Sequence, residues 1–243
     1  MRSQLPSPSQ TNTRTMLNPF SRRLFHTLAI SAVLRAAPER APYRLKQSEG
    51  RWHIVDADGA IVDKPVLAAI PLLSGKQFAD VFDPEVQEQI RTKCSDRAKN
   101  AGAEFAAYTF TAIPPWNRAW VNWFRAQHAD SPGKQQYVQF LKETYSYSIG
   151  DVNKAYGIDS TSFTDLGQFN WKAANLEGEK TRIDDEEFLG WIAQALFSTA
   201  AEAIRKADPN HLILGQQFAA EDVPKPVLQA STAVVANYNT LSE

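Results

Sequence analysis

The chain has 243 residues, 43% hydrophobic and 22% charged, a make-up that suits one globular domain with a substantial buried core. Lys and Arg number 26 against 27 Asp and Glu, and the net charge of −1 forms no long block of one sign, which argues against a nucleic-acid partner. A single cysteine, Cys94, excludes an internal disulfide framework, and His26, His53, His128 and His211 show no metal-ligand spacing.

Residues 1–20 are rich in Ser, Thr, Pro, Asn and Gln, too polar to offset the entropy of ordering. Next come Ser21-Arg22-Arg23-Leu24-Phe25, the run Leu28 to Leu34 and Ala36-Ala37-Pro38. That pattern is either a twin-arginine export signal, with Met16 as an alternative start, or an amphipathic helix interrupted by Arg35. The run is too short to span a membrane. Residues 1–45 are therefore set apart from a domain at 46–243.

From Arg51 the sequence predicts a β-hairpin, with Trp52 to Val55 and Ala60 to Val62 flanking Asp56-Ala57-Asp58-Gly59. Residues 65–72 form an apolar run of strand length. Asp83 and Pro84 open a helix whose Val86, Ile90, Cys94 and Ala98 share one face, with Asn100 and Gly102 at its end. A second strand is predicted at 104–111. It leaves through Ala112-Ile113-Pro114-Pro115-Trp116, where Trp116 either stacks on a sugar ring or folds back over the core. Ser131-Pro132-Gly133 starts a helix with Tyr137, Leu141 and Tyr145 in line, and a shorter helix over Ile149 to Tyr156 stops at Gly157. Residues 158–183 show no clear period and read as an excursion that roofs a site.

A helix is predicted from Asp184, capped by Asp184 with Glu187 reaching back, its stripe being Leu189, Ile192, Leu196, Ala200 and Ala203. It turns through Asp208-Pro209-Asn210-His211 into the strand Leu212-Ile213-Leu214. A short helix near Val227 and Leu228 and a strand at 233–236 then complete a β-α-β unit. Parallel strands present ligand groups at their carboxyl ends. Thr111, Trp116, Gln216, Gln217, Asn237 and Tyr238 are the candidate binding residues, neutral donors and acceptors that suit a sugar better than a phosphate, or else amides that satisfy loop backbone. No glycine-rich phosphate loop, Gly-x-Ser-x-Gly elbow or metal motif is present, and no cofactor is implied.

Several phrases carry a resemblance: Gly50-Arg51-Trp52 through Gly59, Asp80-Val81-Phe82-Asp83-Pro84, Tyr108 to Thr111, Ser131 to Lys134, Asn153 to Gly157, and Ala203-Ile204-Arg205 through Gly215. Over about residues 50–240 the chain resembles the agarase-like and β-galactosidase-like glycoside hydrolases. That resemblance implies an α/β fold, a partial (β/α)8 TIM-type barrel preceded by the hairpin, and a β-linked galactopolysaccharide such as agar as ligand. It also implies a retaining mechanism with two carboxyl groups roughly 5 Å apart. The strand at 104–111 corresponds to the fourth barrel strand, where the acid/base follows, yet Ala112 stands there. The nucleophile strand falls beyond Glu243. Barrel strands are expected at 65–72, 104–111, 212–214 and 233–236, so the barrel is incomplete and catalysis impaired; a second reading keeps an enzyme by recruiting Glu104, Asp80 or Glu243 as substitute acids. A non-enzymatic carbohydrate-binding or interaction protein is the alternative, and open sheet edges point to self-association.

Overall fold

The computed structural model describes residues 43–48, 51–75, 77–102, 105–218 and 223–239. The twin-arginine stretch, Glu104 and Glu243 lie outside the described residues. In chain order the elements are strands β1 (Arg44–Ser48), β2 (Arg51–Val55) and β3 (Leu67–Pro71), helix α1 (Pro84–Lys99), strand β4 (Ala107–Thr111), and helices α2 (Arg118–Arg125), α3 (Pro132–Thr144), α4 (Ile149–Tyr156) and α5 (Phe163–Gln168). A 3₁₀ turn (Trp171–Ala173), helix α6 (Glu179–Ala207), strand β5 (Leu212–Gln216) and helix α7 (Lys225–Asn239) follow.

β3, β4 and β5 lie side by side in that order, all parallel, so three of the four expected strands are neighbours as the sequence predicts. Alternation decides their faces. Ala68, Ile70, Tyr108, Phe110 and Ile213 enter one core cluster with α1, α6 and α7, and Phe110 stacks on Phe197 with ring centroids 5.9 Å apart. Asp83 caps α1, accepting from the N–H groups of Glu85 and Val86, while Ile90, Cys94 and Ala98 form its buried face. Gly157 ends α4 at φ +62°, the left-handed position that glycine occupies without steric cost.

The fourth expected strand is a correction. Residues 233–236 belong to α7, because burial recurs at Val227, Ala230, Ser231 and Val234, a helical step rather than the alternation of a strand. The β-α-β reading of this stretch is therefore β-α, and the described residues contain three parallel strands rather than a closed barrel. α7 packs closely on α6 where Gly190 meets Pro226. A Cβ on Gly190 would come within 2.7 Å of the proline ring.

α6 also differs from expectation. It starts at Glu179 with Gly178 at its cap, and Asp184 is a buried residue inside it rather than the cap. The reason is that the apolar stripe continues backwards through Phe188 to Thr181, so ending the helix at Asp184 would expose a face that the core covers. The supposed excursion at 158–183 is mostly ordered: α5, the 3₁₀ turn and the first turn of α6 occupy it.

The Asp-Gly turn forms as predicted, with Asp56 Oδ1 accepting the N–H groups of Asp58 and Ala60 and Gly59 at φ +85°. Its return arm, however, is a single bridge from Ile61 to Val55, cut short by the Asp63-Lys64-Pro65 sequence that follows. The main partner of β2 is β1, antiparallel, a strand the sequence analysis did not assign.

Candidate functional site

The carboxyl ends of β4 and β5 bring three of the candidate residues together. Thr111 is the last residue of β4 and exposed, and Gln216 is the last of β5 and partly exposed. Trp116 is 5% exposed and donates its indole N–H to Gln216 Oε1 at 2.9 Å. Its ring stacks on Trp120, centroids 4.8 Å apart, and meets Phe197 edge-on, so one broad face covers the core instead of standing open. An indole N–H only donates, so it fixes the Gln216 amide with its oxygen inward and its NH2 outward. That amide nitrogen has no partner among the described residues.

The other candidates lie elsewhere. Gln217 is exposed and lines a second cleft of about 410 Å³ together with His53, Ile61, Leu67 and Leu214. Asn237 is exposed on the last turn of α7, not at a strand end, and Tyr238 belongs to the same turn. Both were placed by the strand that α7 replaces. Asp80 is half-buried in the loop between β3 and α1. Its Oδ2 accepts the N–H of Gly133 at 2.8 Å and its Oδ1 that of Phe82 at 3.1 Å. Ser131 makes no side-chain cap to α3, so Asp80 caps that helix from across the chain. Burial raises the pKa of Asp80 above the ordinary carboxylate value, and the backbone bonds oppose the shift.

Ala112 occupies the position where a hydrolase acid is expected, and it adopts φ +56°, a left-handed conformation that costs a non-glycine residue about 1 kcal/mol. The turn is held by the N–H of Leu72 donating to the Thr111 carbonyl at 3.0 Å and that of Gly75 to the Ala112 carbonyl at 2.9 Å.

Beside Trp116 opens a cleft of about 470 Å³, lined by Asn117, Arg118, Glu177, Arg182 and Asp185, with Leu189 and Pro224 as apolar walls. Asp185 joins it to a buried network that the sequence analysis missed. Arg118 Nε donates to Asp185 Oδ2 at 2.7 Å, and the guanidinium of Arg125, only 2% exposed, bonds the other oxygen. Arg125 also donates from Nε to the Tyr137 hydroxyl at 2.8 Å and from Nη1 to Asn122 Oδ1 at 2.8 Å, and it lies 5.0 Å from the Tyr137 ring centroid and 5.5 Å from that of Trp171. Burial would lower its pKa, but Tyr137 and Asp185 outweigh burial and hold it above the ordinary arginine value.

Asp184, one residue earlier, accepts from the hydroxyls of Tyr145 at 2.6 Å and Tyr156 at 3.0 Å and from Lys180 at 3.0 Å. Burial pushes Tyr137 up to about 12. Lys134, 2% exposed, donates to the Arg125 carbonyl, and burial together with the charge of Arg125 pushes it down to about 8. The signal for this network was present in the sequence: Asp184 and Asp185 fall in phase with Thr181, Phe188, Leu189 and Ile192, two acids at core positions of an amphipathic helix. Both oxygens of Asp185 are engaged by guanidinium groups and both of Asp184 by phenols and an ammonium, and both residues are buried. Among the described residues no group of three or more His, Cys, Asp or Glu side chains is placed to hold a metal ion, and no helix is long and apolar enough to cross a membrane.

Helices alternating with parallel strands, with polar side chains gathered at the strand exits, define a parallel β/α scaffold. No family model matches the chain. It is 35% identical over 109 residues to Beta-agarase A of Vibrio sp. (strain JT0107), which covers 43% of this chain and 10% of that protein. Beta-agarase B of the same organism is 29% identical over 115 residues, 46% of this chain and 12% of the relative. The chain thus spans about a tenth of the length of the curated relatives it matches. Among solved structures, PfGH50B superposes with a TM-score of 0.62 at 21% identity, covering 70% of this chain and 28% of that one. An exo-β-agarase superposes with a TM-score of 0.58 at 20% identity, covering 72% and 26%. By sequence and by fold the chain is agarase-like over the part of those proteins that it matches.

Proposed function

We propose that the chain is a glycoside hydrolase-like protein that binds a β-linked galactopolysaccharide of the agar type and, by itself, cleaves it little or not at all. The 109-residue match to Beta-agarase A carries this reading. The outward NH2 of Gln216 and the exposed Thr111 supply neutral hydrogen-bonding groups at adjacent strand ends, the kind that suit sugar hydroxyls. Impaired catalysis is supported by the absence of an ionisable side chain at Ala112 and by the engagement of Asp80, Asp184 and Asp185 in capping or ion pairing. The twin arginine at 22–23 ahead of Leu28 to Leu34 supports delivery outside the cytoplasm.

The test uses the full chain with agarose and neutral agaro-oligosaccharides. Binding by calorimetry without release of reducing sugar is expected, and Gln216→Ala should weaken it roughly fivefold, as for the loss of one neutral hydrogen bond. Sustained release of reducing sugar would overturn the impaired reading, and removal of Asp80, Glu104 or Glu243 in turn would then identify the acid. No binding at all would overturn the saccharide reading.

A further inference from the structure

The cleft beside Trp116 holds an arginine whose donors are only half used. Arg118 is fixed from behind, since its Nε bonds Asp185, which is 4% exposed and anchored in turn by Arg125. At its other edge Nη1 donates to Glu177 Oε1 at 2.6 Å, while Nη2, shielded from solvent, has no partner among the described residues. Two parallel N–H groups on one guanidinium edge match the two oxygens of a carboxylate or sulfate, a bidentate geometry that Glu177 fills on one side only.

Glu177 is also a weak occupant. Its side chain is 82% exposed and lies in the segment just before α6, where water and salt compete for it. Two guanidiniums (Arg118, Arg182) and three carboxylates (Glu177, Asp185, Glu186) line the cleft, and the buried Arg125 neutralises Asp185 from behind. Withdrawal of Glu177 removes the acid that competes for Arg118 and leaves the lining with as many arginines as carboxylates. Of the apolar lining, only Pro224 is partly exposed, and it is the wall a sugar ring can touch, since Trp116 and Leu189 are buried.

We infer that this cleft is an oxyanion subsite for a charged saccharide unit, a uronate or a sulfate ester, and that Glu177 is a built-in stand-in which the ligand's own anion displaces from Arg118. The inference rests on the saccharide reading only for what carries the anion. The charge match stands on the geometry of Arg118, Glu177 and Asp185.

Titrations of the ¹⁵N-labelled full chain followed at the Arg118 Nε–H, away from the Gln216 site, test it, with galacturonate, galactose and acetate as probes. Galacturonate should shift that signal and bind more weakly as salt rises through the range where the screening length falls below about 10 Å. Glu177→Gln, at an exposed position where folding is not at stake, should tighten galacturonate binding roughly two- to fivefold, the worth of an exposed ion pair. Arg182→Gln should loosen it.

Unchanged or weaker galacturonate binding in Glu177→Gln overturns the stand-in, as does an equal response to galactose. An acetate response as strong as that to galacturonate overturns the saccharide part. Neutral agaro-oligosaccharide binding is measured separately and moves with Gln216, so failure of the subsite and failure of the broader reading are distinguishable.

Discussion

Replacing Asp185 by asparagine isolates the ion pairs that tie α2 to α6. The substitution keeps the shape of the side chain and removes its charge, leaving the Arg125 guanidinium, 2% exposed, without a counter-ion in the core. Breaking a buried pair from one side costs about 3–5 kcal/mol, because the surviving charge is neither solvated nor neutralised. The partly exposed Arg118 adds little, since water can replace what it loses.

Against a typical domain stability of about 5–15 kcal/mol, this is at least about a fifth of the total. With a urea slope of about 2 kcal/mol/M, a loss of 4 kcal/mol lowers the unfolding midpoint by roughly 2 M. Equilibrium urea unfolding followed by tryptophan fluorescence and far-UV dichroism measures it, with Glu177→Gln as an exposed control expected to change stability by less than about 1 kcal/mol. A double variant, Asp185→Leu with Arg125→Met, should recover most of the loss, because an apolar pair has no stranded charge. A fall below about 1 kcal/mol for Asp185→Asn, or a double variant no better than the single one, would refute the claim that the buried charge pair dictates the energetics here.

Gly190→Ala should destabilise by about 1–3 kcal/mol in thermal unfolding despite the better helix propensity of alanine, because the new methyl lies within 2.7 Å of Pro226. Asp208 accepts from Tyr108 at 2.5 Å and from His211 Nδ1 at 2.6 Å. Burial would raise its pKa, but the bonds from His211 and Tyr108 outweigh that and hold it well below the usual carboxylate range. The unfolded chain then binds the proton more readily, so this contribution is fully present above about pH 4 and is lost as pH falls towards the folded value. Asp208→Asn should flatten that acid limb by about 1–3 kcal/mol in urea titrations between about pH 2 and 6. Lys134 behaves in the opposite chemical sense but with the same slope: the unfolded chain holds its proton between about 8 and 10.5, so stability rises with pH across that window, and Lys134→Met should abolish the rise. The outer edges of β3 and β5, which pair with no further strand among the described residues, should drive self-association. A compact monomer by small-angle scattering at high concentration would count against it.

What the sequence made legible follows from how local each signal is. The cap at Asp83, the stop at Gly157 and the apolar runs of β3, β4 and β5 are written in consecutive residues, and each forms as expected. Residues 233–236 misled because Ala-Val-Val-Ala is too short to distinguish period 2 from period 3.6. The choice falls to Val227 and Ala230 upstream, whose spacing joins the run to one long helix. α2 was missed altogether, although Trp120, Val121 and Phe124 already carry a helical step behind the Asn117 cap. The pairings of Asp184 and Asp185 were not legible in the same way: their distant partners come from α2, from the residue that ends α3 and from α4, as many as 67 residues away, and only the phase of the two acids on the stripe of α6 pointed inward.

The exit of β4 shows why such a scaffold persists whatever side chain stands at Ala112. Its left-handed backbone is disfavoured for alanine, yet the bonds from Leu72 and Gly75 to the carbonyls of Thr111 and Ala112 belong to the main chain and need no particular side chain at that position. Together they outweigh a conformational cost of about 1 kcal/mol. The packing beneath is equally indifferent, because Phe110 and Trp116 rest on Phe197 and Trp120 rather than on anything at residue 112. Strand exits of this kind hold their geometry through backbone and core alone. The rim formed by Thr111, Trp116 and Gln216 therefore keeps its shape whatever side chain residue 112 carries.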